Sequence, residues 1–237
     1  MENQDFVDNM LKITLGGYLS GQLHDDEFAG FRRITAPVRL ILDVGANRGQ
    51  SIATLKVLFP DAIIHTFEAN PLYAPVLEGL QTYFQGTVHV HGFGLGSQDA
   101  TIPLYVPWVL DTPFLEESST RLDYYEKPWV AQKFRERGGL RLEKQIVDIR
   151  RGDDLGLAPD VIKIDVEGAE HDVLIGLRET ILRHTPTLFV ENSDYNNVTP
   201  YLSDLGYSPY RWIGDDLVPY YGESPNTFYI HNSVRFN

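Results

Sequence analysis

Residues 39–49, RLILDVGANRG, constrain the fold more than any other stretch of this chain. An apolar run of strand character ends in Asp43, turns through Gly45, and opens what reads as a helix after Gly49. Doubly wound α/β domains build a ligand cradle this way, between the carboxyl end of the first strand and the start of the next helix. Glycine at 45 permits a tight turn, and glycine at 49 permits close approach of the helix to a ligand. A second acidic strand end follows. IIHTFEANP, residues 63–71, sets Glu68 roughly twenty positions past the turn, where such folds place a carboxylate on ribose hydroxyls.

The pattern around these strands repeats. Strand 39–45 precedes a helix over about 49–58, closed by Pro60; strand 62–68 precedes a helix opening near Pro71, which suits a first turn. Strand 87–93 runs into Gly92-x-Gly94-x-Gly96. DVIKIDVEG, residues 160–168, and TLFVENS, residues 187–193, read as further strands, with the amphipathic helix EHDVLIGLRETIL between them. A short helix over 197–206 and closing strands in SPYRWIG, DDLVPYY and NTFYIHN, with an antiparallel pair, complete the domain. Such alternation predicts a parallel sheet with right-handed crossovers. Residues 98–158 break the pattern. TIPLYV and EKQIVDIRR read as extra strands flanking an aromatic stretch with Trp108, Phe114, Tyr124, Tyr125 and Trp129. Those rings either stack on a substrate or form a satellite core, at an insertion of the kind that falls on a functional rim. Residues 1–36 read as an N-terminal appendage, a cover or lid, with Phe6, Met10 and Ile13 at helical spacing and glycines 16, 17 and 21 interrupting any single long helix.

Bulk properties narrow the function classes. The 237 residues, 43% hydrophobic and 22% charged, suit one domain over residues 37–237 behind the appendage. A net charge of −13 argues against nucleic acid as partner, because phosphate binding relies on basic patches. Having no cysteine, the chain has no disulfides, thiolate metal sites or cysteine nucleophile. No apolar run reaches the ~18 residues of a membrane span. The start, MENQDFVDNM, is acidic and polar, unlike a signal peptide, so a cytoplasmic enzyme is the expectation, with a homodimer left open.

Two nucleotide ligands compete for the cradle. A dinucleotide wants G-x-G-x-x-G, and Gly45-Ala46-Asn47-Arg48-Gly49 fits that poorly. S-adenosylmethionine (SAM) has no phosphate; it needs a glycine bend, an acid near its ammonium and an acid for its ribose. Asp43, Gly45 and Glu68 supply that set. The plain alternative is a ligand-free turn whose glycines serve packing alone.

DVGANRGQS, FEANP, KIDVEGAEHDVLIGL and LFVEN together resemble the FkbM family of SAM-dependent methyltransferases, over roughly residues 39–195. The resemblance implies a Rossmann-like class I methyltransferase fold, a seven-stranded, mostly parallel sheet with an antiparallel closing strand and an insertion before strand four. It implies O-methylation of sugars, polyketides or other natural products. Carried across by motif, Asp43, Gly45, Asn47 and Gly49 line the methionine side of SAM, Glu68 takes the ribose, and Gly94 to Ser97 lie beside the adenine. Residues 1–36 and 98–158 carry no family motif, so acceptor choice is expected there.

Methyl transfer to oxygen needs the acceptor held in line with the methyl and its proton removed. The ends of the fourth and fifth strands offer Asp165, Glu167, Glu170, Glu191 and Asn192. In one mechanism Asp165, with Glu167 beside it, or a histidine such as His171 or His24 takes the proton. In the other, Asp165, Glu191 and Asn192 hold Mg2+, a set that resembles the magnesium site of catechol-type O-methyltransferases. Glu167 and Glu170 also flank a helix start, where acids favour the dipole by ~0.3–1 kcal/mol each. His89 and His91 share a strand face beside His65, where packed histidines are commoner than ligands. The competing classes are a non-catalytic SAM-binding subunit and an NAD(P)-linked oxidoreductase on the same sheet.

Overall fold

A computed structural model describes residues 3–192 and 194–234. Met1, Glu2, Ser193 and residues 235–237 lie outside the described residues, including the last position of the strand predicted over 187–193.

The alternation seen in sequence produces a parallel sheet core. β1 (Leu40–Val44), β2 (Ile63–Phe67), β3 (Val88–His91), β8 (Val161–Ile164) and β9 (Thr187–Glu191) run parallel. β10 (Tyr207–Ile213), β11 (Asp216–Pro219) and β12 (Asn226–His231) complete a sheet of order β11-β10-β12-β9-β8-β1-β2-β3. Reversed β12 inserts between β9 and β10. Among the described residues this sheet has eight strands, one more than the seven expected. The eighth is β11, which lies in DDLVPYY, read in sequence as a closing strand; the turn at Gly214 and Asp215, both at positive φ, folds it back along β10.

Successive residues of a strand point to opposite faces. Ile41, Val161 and Phe189 therefore enter one apolar layer, and their neighbours Leu42, Ile162 and Leu188 enter the other. α2 (Gln50–Leu58) and α3 (Ala74–Tyr83) cover the first layer; α5 (Glu170–Gly176), α6 (Arg178–His184) and α7 (Tyr195–Asp204) belong to the second. The helix predicted across EHDVLIGLRETIL is broken at Leu177 into α5 and α6. Gly176 lies there because any Cβ would collide with the carbonyl of Gly96.

The appendage forms α1 (Asn3–Leu19), which passes through Gly16 and Gly17 and stops at Gly21, φ +68. It packs on α2 and α3 with Leu11, Thr14, Leu15 and Tyr18, while Ile13 faces solvent. Of the predicted Phe6–Met10–Ile13 stripe, Phe6 also packs against the core and Met10 is half-buried; only Ile13 leaves the packed side, where the 3.6-residue period runs through 11, 14–15 and 18.

The insertion folds as a second sheet. β5 (Ala100–Val109) and β7 (Arg141–Arg151) form a long antiparallel ladder, with β6 (Thr112–Pro113) on one edge and β4 (Gly94–Gly96) on the other. α4 (Pro128–Glu136) closes a satellite core of Val109, Tyr125, Val130 and Phe134. Most of the aromatic stretch serves that core: Tyr125 donates to the carbonyls of Tyr105 and Glu117 at 2.7 and 2.8 Å.

Candidate active site

The carboxyl ends of β1, β2, β8 and β9 open into one cleft of about 470 Å³, roofed by residues 102–120 of the insertion. Gly45, Asn47, Gln50, Glu68, Gly94, Asp165, Glu167 and Glu191 lie on its wall. The volume falls within the ~300–1,000 Å³ range of small-molecule sites.

The first turn is shaped by two left-handed residues. Gly45 has φ +82, and a Cβ there would run into the carbonyl oxygen of Asp165, so β1 and β8 approach as closely as they do only with glycine. Asn47 has φ 52, a conformation asparagine tolerates, and its Oδ1 accepts the Arg48 N–H at 2.7 Å. Glu68 braces the turn from β2: Oε2 accepts the Asn47 N–H at 2.8 Å and Oε1 the Asn70 N–H at 2.7 Å. Each oxygen keeps a second lone pair for a ligand hydroxyl. Burial raises the Glu68 pKa, and the two amide bonds oppose that rise.

Asp43 and Gly49 stand off the wall. Asp43 is fully buried, accepting from Ser51 at 2.8 Å and Thr66 at 3.0 Å, with Lys163 3.6 Å away. It shapes the turn from behind instead of facing the cleft. Gly49, φ +84, makes room for Leu80, so its freedom serves the approach of α3. Gly94 is on the wall and Ser97 is not; the backbone N–H of Ser97 donates to Asp172, which does line the cleft, at 3.1 Å.

Lys163, beneath the cleft, is a residue that sequence reading missed. Buried in the strand VIKI, its ammonium donates to the Gly45 carbonyl at 2.7 Å and lies 3.3 Å from Asp165. Burial pulls its pKa down, but Asp43 and Asp165 outweigh that pull and the net shift is upward. The signal was a lone cation in an apolar strand, which must find partners in the interior.

Past β8 the chain turns through Glu167, φ 57, and Gly168, φ +101. Buried Glu170 accepts the N–H groups of Val166 and Gly168 at 3.2 and 2.9 Å, which fixes the turn and keeps Glu170 off the wall. A non-glycine residue held left-handed is a mark of functional sites. Solvent reaches Glu167 at the mouth, but protein surrounds its other sides; this desolvation, then Asp165, pushes its carboxyl up to about 7. Across the cleft, burial, and then the charge of Asp165, push Glu191 up to about 8.

The remaining candidates point elsewhere. His171 packs edge-on against Tyr201, 5.3 Å between ring centroids, and His24 bonds Thr54 at 3.0 Å; neither is on the wall. Asn192 donates to Thr227 and Tyr229 at 3.2 and 2.9 Å, is not on the wall of the cleft, and borders another recess together with Glu191, Glu223 and Ser224. Adjacent strand residues face opposite ways, so Glu191 turns toward Asp165 and Asn192 away. Of the expected magnesium set, Asp165 and Glu191 line the cleft and Asn192 does not, and among the described residues no group of three or more histidine or acidic side chains is arranged for a metal. His65 and His91 instead hydrogen-bond each other at 3.0 Å on the sheet edge.

A family profile described as the methyltransferase FkbM domain matches residues 43–209. Methyltransferase 1 of Beauveria bassiana (strain ARSEF 2860) is 29% identical over 147 residues, covering 58% of this chain and 57% of that protein. The crystal structure of methyltransferase FkbM from Methylobacillus flagellatus KT aligns with a TM-score of 0.55 at 20% identity, covering 82% of this chain and 44% of that one. At that identity the likeness shows the fold. The chain thus spans about half the length of these relatives. No helix among the described residues is long and apolar enough to cross a membrane.

Proposed function

The chain belongs to the FkbM methyltransferase family, and from that premise we propose that it transfers a methyl group from SAM to a hydroxyl of a small molecule, a sugar or glycosylated natural product. One observation carries the reading: a glycine turn, a ribose-type carboxylate and an acidic strand-end pair face a single cleft. SAM supplies an electrophilic methyl on a cationic sulfur. The cleft suits it, since Gly45 sets the turn without a side chain and Gln50 Oε1 and Glu191 Oε2 are buried there without hydrogen-bond partners. Such orphaned atoms cost ~1–3 kcal/mol each unless a ligand or water meets them.

In this reading Gly45, Asn47 and Gln50 bound the methionine end, Glu68 takes the ribose diol, and Gly94 and Leu95 flank the adenine. Asp43 acts through Lys163, which anchors the turn and faces Asp165. The acceptor proton passes to the Asp165–Glu191 pair. Glu191, pushed up to about 8, keeps its proton at neutral pH, and the Lys163 ammonium lies 3.3 Å from Asp165. Glu167 at the mouth adds negative potential that favours the cationic donor. This mechanism runs through side chains alone: of the expected magnesium ligands Asp165 and Glu191 line the cleft, whereas Asn192 does not and its amide donates to Thr227 and Tyr229.

The test is methyl transfer from labelled SAM to a panel of saccharides and polyketide glycosides, with magnesium and again with EDTA. Equal transfer in both supports the side-chain base. Transfer confined to magnesium would overturn that mechanism, and no SAM binding by calorimetry would overturn the whole reading.

A further inference from the structure

The two segments without family motifs, 1–36 and 98–158, meet over a second recess of about 350 Å³. α1 contributes Phe6 and Met10; the insertion contributes Phe114, Leu115 and two basic residues of the α4 region, Lys133 and Arg137. The recess shares Tyr73, Leu115 and Glu116 with the cofactor cleft, so the cavities adjoin. Tyr73 is 5% exposed, and its buried hydroxyl has no hydrogen-bond partner although it borders both cavities. An unmatched phenol at such a junction is a ready donor for a ligand.

Charge distinguishes this recess from the rest of the molecule. The chain carries 33 acids against 20 bases, yet here Arg48, Lys133 and Arg137 meet only Glu116 and Glu117. Two of the cations are neutralised, Arg48 by Glu116 at 2.7 Å and Lys133 by Glu117. Arg137 stacks 5.1 Å from the Phe114 ring centroid, and among the described residues no carboxylate pairs with it. The adjoining cleft has the opposite sign at Asp165, Glu167 and Glu191.

We propose that this recess is the acceptor's distal subsite, and that it takes a ring bearing a carboxylate, held between Phe114 and Met10 with its anion on Arg137 and a polar atom on Tyr73. The idea rests on the methyltransferase reading and deepens it by naming the acceptor class. Opposite potentials at the two ends orient the ligand: its anion is repelled from the acidic strand ends and drawn to Arg137, which leaves its hydroxyl toward the reactive pair.

The test uses protein saturated with S-adenosylhomocysteine (SAH), so cofactor binding is read first; failure at that step strikes the methyltransferase reading and not the subsite. Calorimetry then compares 4-hydroxybenzoate with its methyl ester, and glucuronate with glucose. In at least one pair the acid is expected to bind about tenfold more tightly, the scale of a charge-assisted contact. Preference in the first pair assigns an aromatic acid, and in the second a sugar acid. Arg137→Gln should abolish the preference, and Tyr73→Phe should weaken the acid, while both variants retain SAH affinity. Equal binding within both pairs, a preference that survives Arg137→Gln, or a loss of SAH affinity in Tyr73→Phe would each overturn the subsite.

Discussion

Lys163 on β8 and Asp43 on β1 face each other across 3.6 Å, both sealed from solvent beneath the cleft. The pair joins neighbouring strands, and the same ammonium reaches the Gly45 carbonyl and Asp165. Removing one member of a buried ion pair leaves the other charge uncompensated, which costs about 3–5 kcal/mol. Lys163→Met is therefore expected to lose stability on that scale in urea denaturation. Combining it with Asp43→Asn should cost less than the two single changes added together, because the double variant buries no lone charge. Additive losses would mean that the two residues do not act as a pair.

Gly45 offers a comparison within one protein. Gly86 has nearly the same backbone, φ +78 against +82, but open space where a Cβ would lie, whereas a Cβ at Gly45 would meet the Asp165 carbonyl. Gly86→Ala should cost only the left-handed penalty of about 1–2 kcal/mol. Gly45→Ala adds an overlap worth about 1–3 kcal/mol, and it displaces the turn, so SAH binding should be lost as well. Equal melting temperatures for the two variants would show that β1 and β8 can move apart freely.

The parts of this architecture legible in sequence are those set by local chemistry. The 39–49 run, the FEANP strand end and KIDVEG gave the cleft wall at Gly45, Asn47, Glu68, Asp165 and Glu167, since strand ends and glycine turns leave a periodic mark. Side-chain direction was less legible. Asp43 and Asp165 both end apolar strands, yet one is sealed behind the turn and the other is on the wall. Which way each turns depends on Lys163, Ser51 and Thr66, distant in sequence. The same holds for Asn192, whose partners Thr227 and Tyr229 come from β12. The second sheet was half legible: its two long strands were expected, but β4 joins them only because Gly94–Gly96 pairs with the end of β7.

Glu191 and Glu167 should make the protein less stable as pH rises. Their carboxyls are pushed up to about 8 and about 7 when folded, against about 4.3 for an unperturbed glutamate. Between those limits the folded chain binds more protons than the unfolded chain, so stability falls with increasing pH. The loss should begin above about pH 4 and level off past pH 8. Glu191→Gln, which mimics the protonated acid, should flatten the upper part of the slope in denaturation series at fixed ionic strength. The rate should move oppositely, rising as Glu191 beside Asp165 gives up its proton, with a limb near pH 8 in wild type that the variant lacks. A variant retaining the limb would assign the base elsewhere.

Glu68 separates ligand recognition from turn bracing. Its two oxygens hold the amides of Asn47 and Asn70, so Glu68→Ala orphans both and removes the ligand acceptor at once. Stability and SAH affinity should each fall by about 1–3 kcal/mol. Glu68→Gln keeps one acceptor oxygen but turns an amide NH2 toward the other backbone N–H, so it should cost about 1–2 kcal/mol in stability. It should still weaken SAH about tenfold, because a charged acceptor bonds a hydroxyl more strongly than a neutral one. The informative case is Glu68→Gln measured both ways, by urea denaturation and by SAH titration. A stability loss with full SAH affinity would make Glu68 a brace alone and move the ribose to another polar group of the wall, such as Asn70.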